Sequence, residues 1–503
     1  MAQNPLYDAL FKPHYGSEQP FLILPEGDEI SFDAFLRQAA RFAHAITASG
    51  LGPGDRLAMQ IHKSPGALAL YAACVRSGVV FLPLNPAYTA REVDYFVADA
   101  GAKLLLCDPQ NEAALRPVAE VNGATLMTLD RQGQGSFAEA ARTQPEQFDT
   151  QARSLDDLAA LLYTSGTTGR SKGAMLSQRN LLSNAETLRD SWQFSSKDTL
   201  LHALPVFHTH GLFVGTNLCL LSGAAMLFLP KFDLDSTLRL LPRATVMMGV
   251  PTYYTRLLAD PRFDRDTSGH MRLFISGSAP LLADTHAQFE SRTGHQILER
   301  YGMTETNMNT SNPYAGDRRA GTVGLPLPGV EVKVCDRNGK ELPRGETGTL
   351  EVRGPNVFQG YWQMPEKTAS ELRGCGFFIT GDLASQDADG YVTIVGRGKD
   401  LIISGGLNVY PKEVEMALDA MPGVLESAVI GVPHPDFGEA VVAIITARPG
   451  ACLDPDVIKT AAKTQLAGFK RPKSLIELPD LPRNTMGKVQ KAALRANYQD
   501  LFK

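Results

Sequence analysis

No two of the six cysteines (Cys74, Cys107, Cys219, Cys335, Cys375, Cys452) form a CxxC pair. That spacing argues against a zinc site or a disulfide framework and predicts reduced thiols in a cytoplasmic protein. A basic field is missing as well. Lys plus Arg number 49 against 54 for Asp plus Glu, a net charge of −5, so nucleic acid is not an expected partner, and no acidic tail stands out either. The N-terminal MAQNPLYDALFKPHYG lacks the unbroken apolar stretch of a signal peptide, because Asp8 and Lys12 interrupt it. Neither a Gly-x-Gly-x-x-Gly run nor an internal repeat occurs. One stretch lacks charge altogether: residues 199–230 contain no Asp, Glu, Lys or Arg. Residues 212–229 reach the roughly 18-residue length of a membrane span. Ser222-Gly223 divides them, however, into a helix-like and a strand-like piece, the pattern of a buried α/β core, and no membrane association is expected.

What is present is a soluble-protein composition over 503 residues, 44% hydrophobic and 20% charged. That length suggests about three folding units, or two if one is large. Short apolar runs at 79–84, 103–107, 224–229, 245–250 and 273–276 alternate with helical periodicity, which predicts an α/β fold of βα units with parallel sheets flanked by helices. After about Val395 the texture becomes a compact α+β alternation. Strands are expected at 400–403, 424–432 and 440–447, with helices at 411–420 and 454–466. The expected domains are therefore residues 1–396 and a small mobile unit, 397–503, joined at the Gly-rich GRGKD segment.

The most informative segment is YTSGTTGRSKG, residues 163–173, which follows an apolar run and precedes a helical stretch. Gly166, Gly169 and Gly173 let backbone N–H groups approach an anion. Thr164, Ser165, Thr167, Thr168 and Ser171 offer hydroxyls, and Lys172 a cation, so the loop reads as a polyphosphate cradle. It is not a Walker A loop, since Ser171 precedes the lysine where that pattern has Gly. The embedded Gly169-Arg170-Ser171-Lys172-Gly173 matches a hydrolase nucleophile elbow, but a nucleophile between Arg and Lys among further hydroxyls suits a phosphate loop better.

With that loop, PVFHTHG (205–211), SGSAPL (276–281), YGMTE (301–305), ITGDLA (379–384), GRGKDLIISGGLNVYP (396–411) and RNTMGKVQK (483–491) complete a series of seven motifs. In this order they make nearly the whole chain resemble the acyl-adenylate-forming superfamily of acyl-CoA synthetases, adenylation domains and luciferases. The resemblance implies a large N-terminal domain with the adenylate site and a small C-terminal domain that rotates between two half-reactions. It further implies an AMP-forming acid–thiol ligase that takes ATP, Mg²⁺ and coenzyme A.

Residue by residue, Lys488 matches the lysine that bridges the carboxylate and the α-phosphate, two anions that otherwise repel. Glu305 matches the Mg²⁺ carboxylate and Thr304 a phosphate contact. Asp382 resembles the ribose acceptor and Arg397 its neighbour, while Ser276, Gly277, Ser278 and Ala279 with Tyr301, Gly302 and Met303 would line the nucleotide. Ser404, Gly405 and Gly406 would flank the pantetheine arm of CoA. Lys399 holds the family's hinge position. His208 borders the acyl and thiol channels. As a metal pair, His208 and His210 suggest no third ligand.

Arg300, just before Tyr301, is where many relatives acting on fatty or aryl acids carry an uncharged residue. At the C-terminal end of a strand it would point into the ligand crevice and grip a second carboxylate. Thr209, Met303 and Met308 would shape a small chamber. The expected substrate is malonate, giving malonyl-CoA, AMP and diphosphate as malonyl-CoA synthetases do, with methylmalonate slower. A salt bridge from Arg300 to Glu299 or Glu305 is the competing structural role, and a short or aromatic monocarboxylate the competing substrate. A carrier-protein acceptor, a luciferase-like oxidation and a non-catalytic nucleotide-binding regulator are the remaining alternatives. The resemblance also suggests acetylation of Lys488, with a protein acetyltransferase and deacetylase as partners.

Overall fold

The computed structural model describes residues 3–164, 171–404, 407–484 and 487–502. Its apolar runs form strands buried on both faces, as parallel strands covered by helices must be. In one sheet Thr125–Thr128, Leu104–Cys107, Arg56–Gln60, Val80–Pro83 and Leu158–Thr164 run parallel in that order. Lys172–Ser177 closes it antiparallel. A larger sheet places Thr199–His202, Val246–Gly249, Leu273–Ser276 and Leu298–Met303 as successive parallel neighbours. The five runs expected as strands appear as Val80–Pro83, Leu104–Cys107, Ala225–Phe228, Val246–Gly249 and Leu273–Ser276.

The charge-free stretch divides at Gly223, whose φ of 70° a side chain would resist. It ends the helix Asn217–Ser222 ahead of the strand Ala225–Phe228. Upstream the winding is not a plain α-helix, because His210–Thr216 form a π-helical turn. Among the described residues no helix is long and apolar enough to cross a membrane.

The βα rhythm stops earlier than the sequence suggests. Glu331–Cys335, Gly348–Arg353, Phe378–Gln386 and Val392–Arg397 form an antiparallel meander. Along Phe378–Gln386 buried and less buried residues alternate, the period of a strand with one face on the core. This meander puts Asp382 opposite Arg397.

Beyond it, Val424–His434 and Gly438–Ala447 pair antiparallel, with Val429 opposite Ala443, and period-2 alternation sends their side chains into two cores. Val429, Val441, Ala443 and Ile445 pack with Val414 and Leu418 of the helix Pro411–Asp419 and with Ile458 of the helix Pro455–Gln465. Ala428, Ile430, Val442 and Ile444 pack with Leu481 and Leu494.

Candidate active site

Because Thr199–His202, Val246–Gly249, Leu273–Ser276 and Leu298–Met303 are parallel neighbours, their C-terminal ends line one crevice, where α/β sheets bind ligands. Arg300 sits in the last of these strands at 3% exposure. Among the described residues its Nε and Nη2 have no hydrogen-bond partner, and no acid pairs with it. Neither Glu299 nor Glu305 plays that part. Glu299 accepts from the Gly321 N–H at 3.3 Å, and Glu305 from Thr164 and Tyr361. Burial without a counter-ion lowers the Arg300 pKa to about 9, so the guanidinium stays charged at neutral pH. It occupies space that only glycine leaves, since a Cβ at Gly277 would overlap it.

Around it the polar atoms are also unsatisfied. His208 Nδ1, Thr209 Oγ1, His210 Nε2 and Ser276 Oγ are buried without a partner among the described residues. The other His210 nitrogen, Nδ1, lies 3.2 Å from the hydroxyl of Ser278, a residue held at φ 70°. Burial, with the Arg300 and Lys488 charges, lowers the His208 pKa to about 4. Burial and Arg300 likewise hold His210 well below its usual value. Both rings are neutral, so Arg300 supplies the local positive charge. Met308 is buried, and its methyl lies where a side chain at Gly302 would stand.

The side where the sequence leads one to expect the nucleotide is built differently. Thr164 and Lys172 face each other across the hairpin that carries the phosphate loop, while Ser165, Gly166, Thr167, Thr168 and Gly169 lie outside the described residues. Thr164 Oγ1 donates to Glu305 Oε1 at 3.4 Å. The Tyr361 hydroxyl stands 3.1 Å from Glu305 Oε1 and 2.7 Å from Glu371 Oε2. Lys172 Nζ reaches Glu371 at 3.4 Å and lies 4.0 Å from the centre of the Tyr361 ring. Burial raises the Glu305 carboxyl above its ordinary range. Glu371 is held below its own because bonds from Lys367 and Tyr361, with the Lys172 charge, outweigh burial. Thr304 is buried beside Glu305. Tyr301 donates to Asp382 at 2.5 Å, and Arg397 pairs with the other Asp382 oxygen at 2.7 Å. Tyr361 and Glu371 were not expected. Glu371 lies 199 residues from Lys172 and belongs to no motif, so nothing local signals it.

Lys488 is an exposed residue whose charge is felt by the groups around it. Burial and the Arg397 charge lower its pKa to about 8 against the opposing pull of Asp382 and Asp400. Its own charge acts in turn on His208. Lys399 is exposed in the turn Gly398–Asp400, whose Asp400 pairs with Arg495 at 2.7 Å. Ser404 is buried; Gly405 and Gly406 lie outside the described residues. Ser276, Gly277, Ser278, Ala279, Tyr301, Gly302 and Met303 all lie at or just beyond the C-terminal strand ends.

The family of AMP-binding enzymes matches residues 13–362, and the AMP-binding enzyme C-terminal domain matches 413–488. ATP-bound MatB from Rhodopseudomonas palustris is 57% identical with a TM-score of 0.98, covering 100% of both chains. Against the apo form of the same protein the TM-score is 0.86. A feruloyl-CoA synthase from Amycolatopsis is 36% identical, covering 94% of each chain. A malonate–CoA ligase from Arabidopsis thaliana is 35% identical, covering 84% of this chain and 75% of that one.

Proposed function

The chain belongs to the AMP-binding enzyme family and is an AMP-forming acid–thiol ligase, and from that premise we propose that its acid is malonate. The reaction is malonate + ATP + CoA → malonyl-CoA + AMP + diphosphate through a malonyl adenylate, with methylmalonate a slower substrate. The observation that carries this reading is Arg300, a buried guanidinium with no acid of its own among the described residues. The second carboxylate of malonate gives it a bidentate partner. A monocarboxylate leaves the charge unpaired, and an uncompensated buried charge costs about 3–5 kcal/mol, or roughly 10²–10⁴ in discrimination. The relative named for malonate supports the same acid. The relative named for ferulate keeps an aromatic or short monocarboxylate as the second reading.

In the first half-reaction a carboxylate oxygen attacks the α-phosphorus and diphosphate leaves. Lys488 bridges the two anions, a preorganised contact commonly worth about 10²–10³ in rate. Asp382 holds the ribose hydroxyls after giving up part of its contact with Tyr301 and Arg397. The Ser276–Ala279 turn and Tyr301 to Met303 line the nucleotide, and the phosphate loop from Thr164 to Lys172 cradles the phosphates. Glu305 would hold Mg²⁺, with Thr304 the neighbouring phosphate contact. One carboxylate beside hydroxyls suits a hard cation, which would supply charge neutralisation for the triphosphate and the departing diphosphate.

In the second half-reaction the CoA thiolate attacks the acyl carbon and AMP leaves. Residues 397–503 rotate on Lys399, which withdraws Lys488 and brings Ser404, Gly405 and Gly406 to the pantetheine arm; His208 borders both channels. Lys488 is also the modification site in this reading, because acetylation removes the charge that adenylation needs. Mass spectrometry after treatment with a protein acetyltransferase tests it, and label that persists on Lys488→Ala refutes it.

The function is tested by diphosphate release with ATP and Mg²⁺ against acetate, malonate, methylmalonate, succinate, benzoate and ferulate, with and without CoA. Malonate-dependent release that turns over repeatedly with CoA is expected. Preference for a monocarboxylate keeps the ligase and discards the diacid.

A further inference from the structure

Lys63, in the segment between the strand Arg56–Gln60 and the helix Pro65–Ser77, is 8% exposed. No motif contains it, and no acid pairs with it among the described residues. Its Nζ donates to the His202 carbonyl at 2.8 Å and stands 2.7 Å from His202 Nδ1, with the Phe228 ring 4.4 Å away. The other ring nitrogen, His202 Nε2, lies 2.9 Å from the Gly211 carbonyl. A carbonyl can only accept, so Nε2 carries the hydrogen, and Nδ1 is left as the acceptor for Lys63. Burial and the lysine charge lower the His202 pKa to about 3, which keeps this neutral tautomer at every working pH. Buried Lys63 is held well below its usual value, and charged or neutral it donates in this geometry.

Gly211 belongs to the π-helical turn His210–Thr216, the turn that follows His208 and Thr209 directly. π-Turns recur at functional sites, where they re-aim side chains at an energetic cost. This one is wedged in place. A Cβ at Gly211 would overlap the Pro205 carbonyl, a Cβ at Gly215 would stand 3.1 Å from the His202 ring, and Thr216 Oγ1 donates to the Gly211 carbonyl at 3.0 Å. The chain Lys63–His202–Gly211 thus links the N-terminal sheet to the turn whose start bears the unsatisfied His208, Thr209 and His210.

We infer that Lys63 and His202 are positioning residues for acid recognition: they hold the π-helical turn so that His208, Thr209 and His210 face the substrate acid opposite Arg300. This rests on the placement of the acid proposed above, though not on the acid being malonate.

Kinetics on whichever acid of the panel turns over fastest test it, because a merely structural residue would lower thermal stability and active fraction without separating the two KM values. Lys63→Met is expected to raise the KM for the acid about tenfold, the effect of losing roughly one good hydrogen bond, while the KM for ATP stays within about twofold. Lys63→Arg, which keeps the donor, should recover most of that loss. Acid KM unchanged, both KM values rising together, or Lys63→Arg no better than Lys63→Met would each overturn the inference. If Lys63→Met does not fold, Thr216→Val removes the second donor to Gly211 and should raise acid KM about threefold with ATP KM unmoved; no change there overturns it equally. Arg300→Ala run alongside separates the two readings. An acid KM moved by Arg300→Ala but not by Lys63→Met sinks the positioning role alone, whereas the reverse keeps that role and sinks the Arg300 contact.

Discussion

The two walls of the crevice are prepared in opposite ways. On the proposed nucleotide wall Lys172, Glu305 and Asp382 already have partners: Lys172 with Glu371, Glu305 with Thr164 and Tyr361, Asp382 with Tyr301 and Arg397. On the acid wall Arg300, His208, Thr209, His210 and Ser276 bury polar atoms with none among the described residues. Exchange of partners costs little, which in the proposed reading suits a wall that binds and releases a large anion repeatedly. An unsatisfied buried donor costs about 1–3 kcal/mol, more when charged, so in the same reading the second wall gives up stability for discrimination among acids.

Four experiments put this contrast at risk. Lys488→Ala, which strips the group serving both walls, should lower adenylation about 10²–10³-fold with ATP binding retained, read as diphosphate release beside nucleotide titration. Thioester formation from supplied acyl adenylate should survive, and its loss would place Lys488 in the wrong half-reaction. Next, Arg300→Met should cut malonate kcat/KM about 10²-fold while raising the melting temperature by a few degrees, because an unpaired buried charge is replaced by an apolar chain. If melting falls instead, the acid wall was paired after all.

Smaller effects belong to the paired wall. Glu371→Gln should raise ATP KM about three- to tenfold and lower the melting temperature, the reverse of Arg300→Met. Equal losses for both acid and ATP would blur the contrast. A further test is the pH profile. The Lys488 pKa is drawn down from 10.5 to about 8, and the proposed adenylation role needs the charged form. The lysine therefore holds its proton below pH 8 and loses it above, so kcat/KM should fall about tenfold per unit beyond pH 8. A profile flat to pH 10 would contradict that role for Lys488.

Membership of the AMP-binding enzyme family was legible because its signals are local: glycines, hydroxyls and one lysine within eleven residues, followed by motifs in order. Parallel strands were legible from apolar runs such as 273–276. The meander of residues 331–397 was misread, because its strands alternate Thr, Gly and Asp with apolar residues and carry less hydrophobic signal per residue. Arg300 could be suspected from an expected place at a strand end, although the strand Leu298–Met303 runs three residues past it. That it lacks a partner could not, since pairing depends on every neighbour. The same limit hid Glu371 and the Lys63–His202 contact, whose members lie 199 and 139 residues apart.

The central claim is that the unpaired Arg300 reads the second carboxylate. It is tested most directly by kcat/KM for malonate and for propionate, similar in length but with one carboxylate, in wild type and in Arg300→Met. The account predicts a malonate preference of about 10² or more in wild type that collapses to near unity in the variant. An equal preference in both proteins would contradict it.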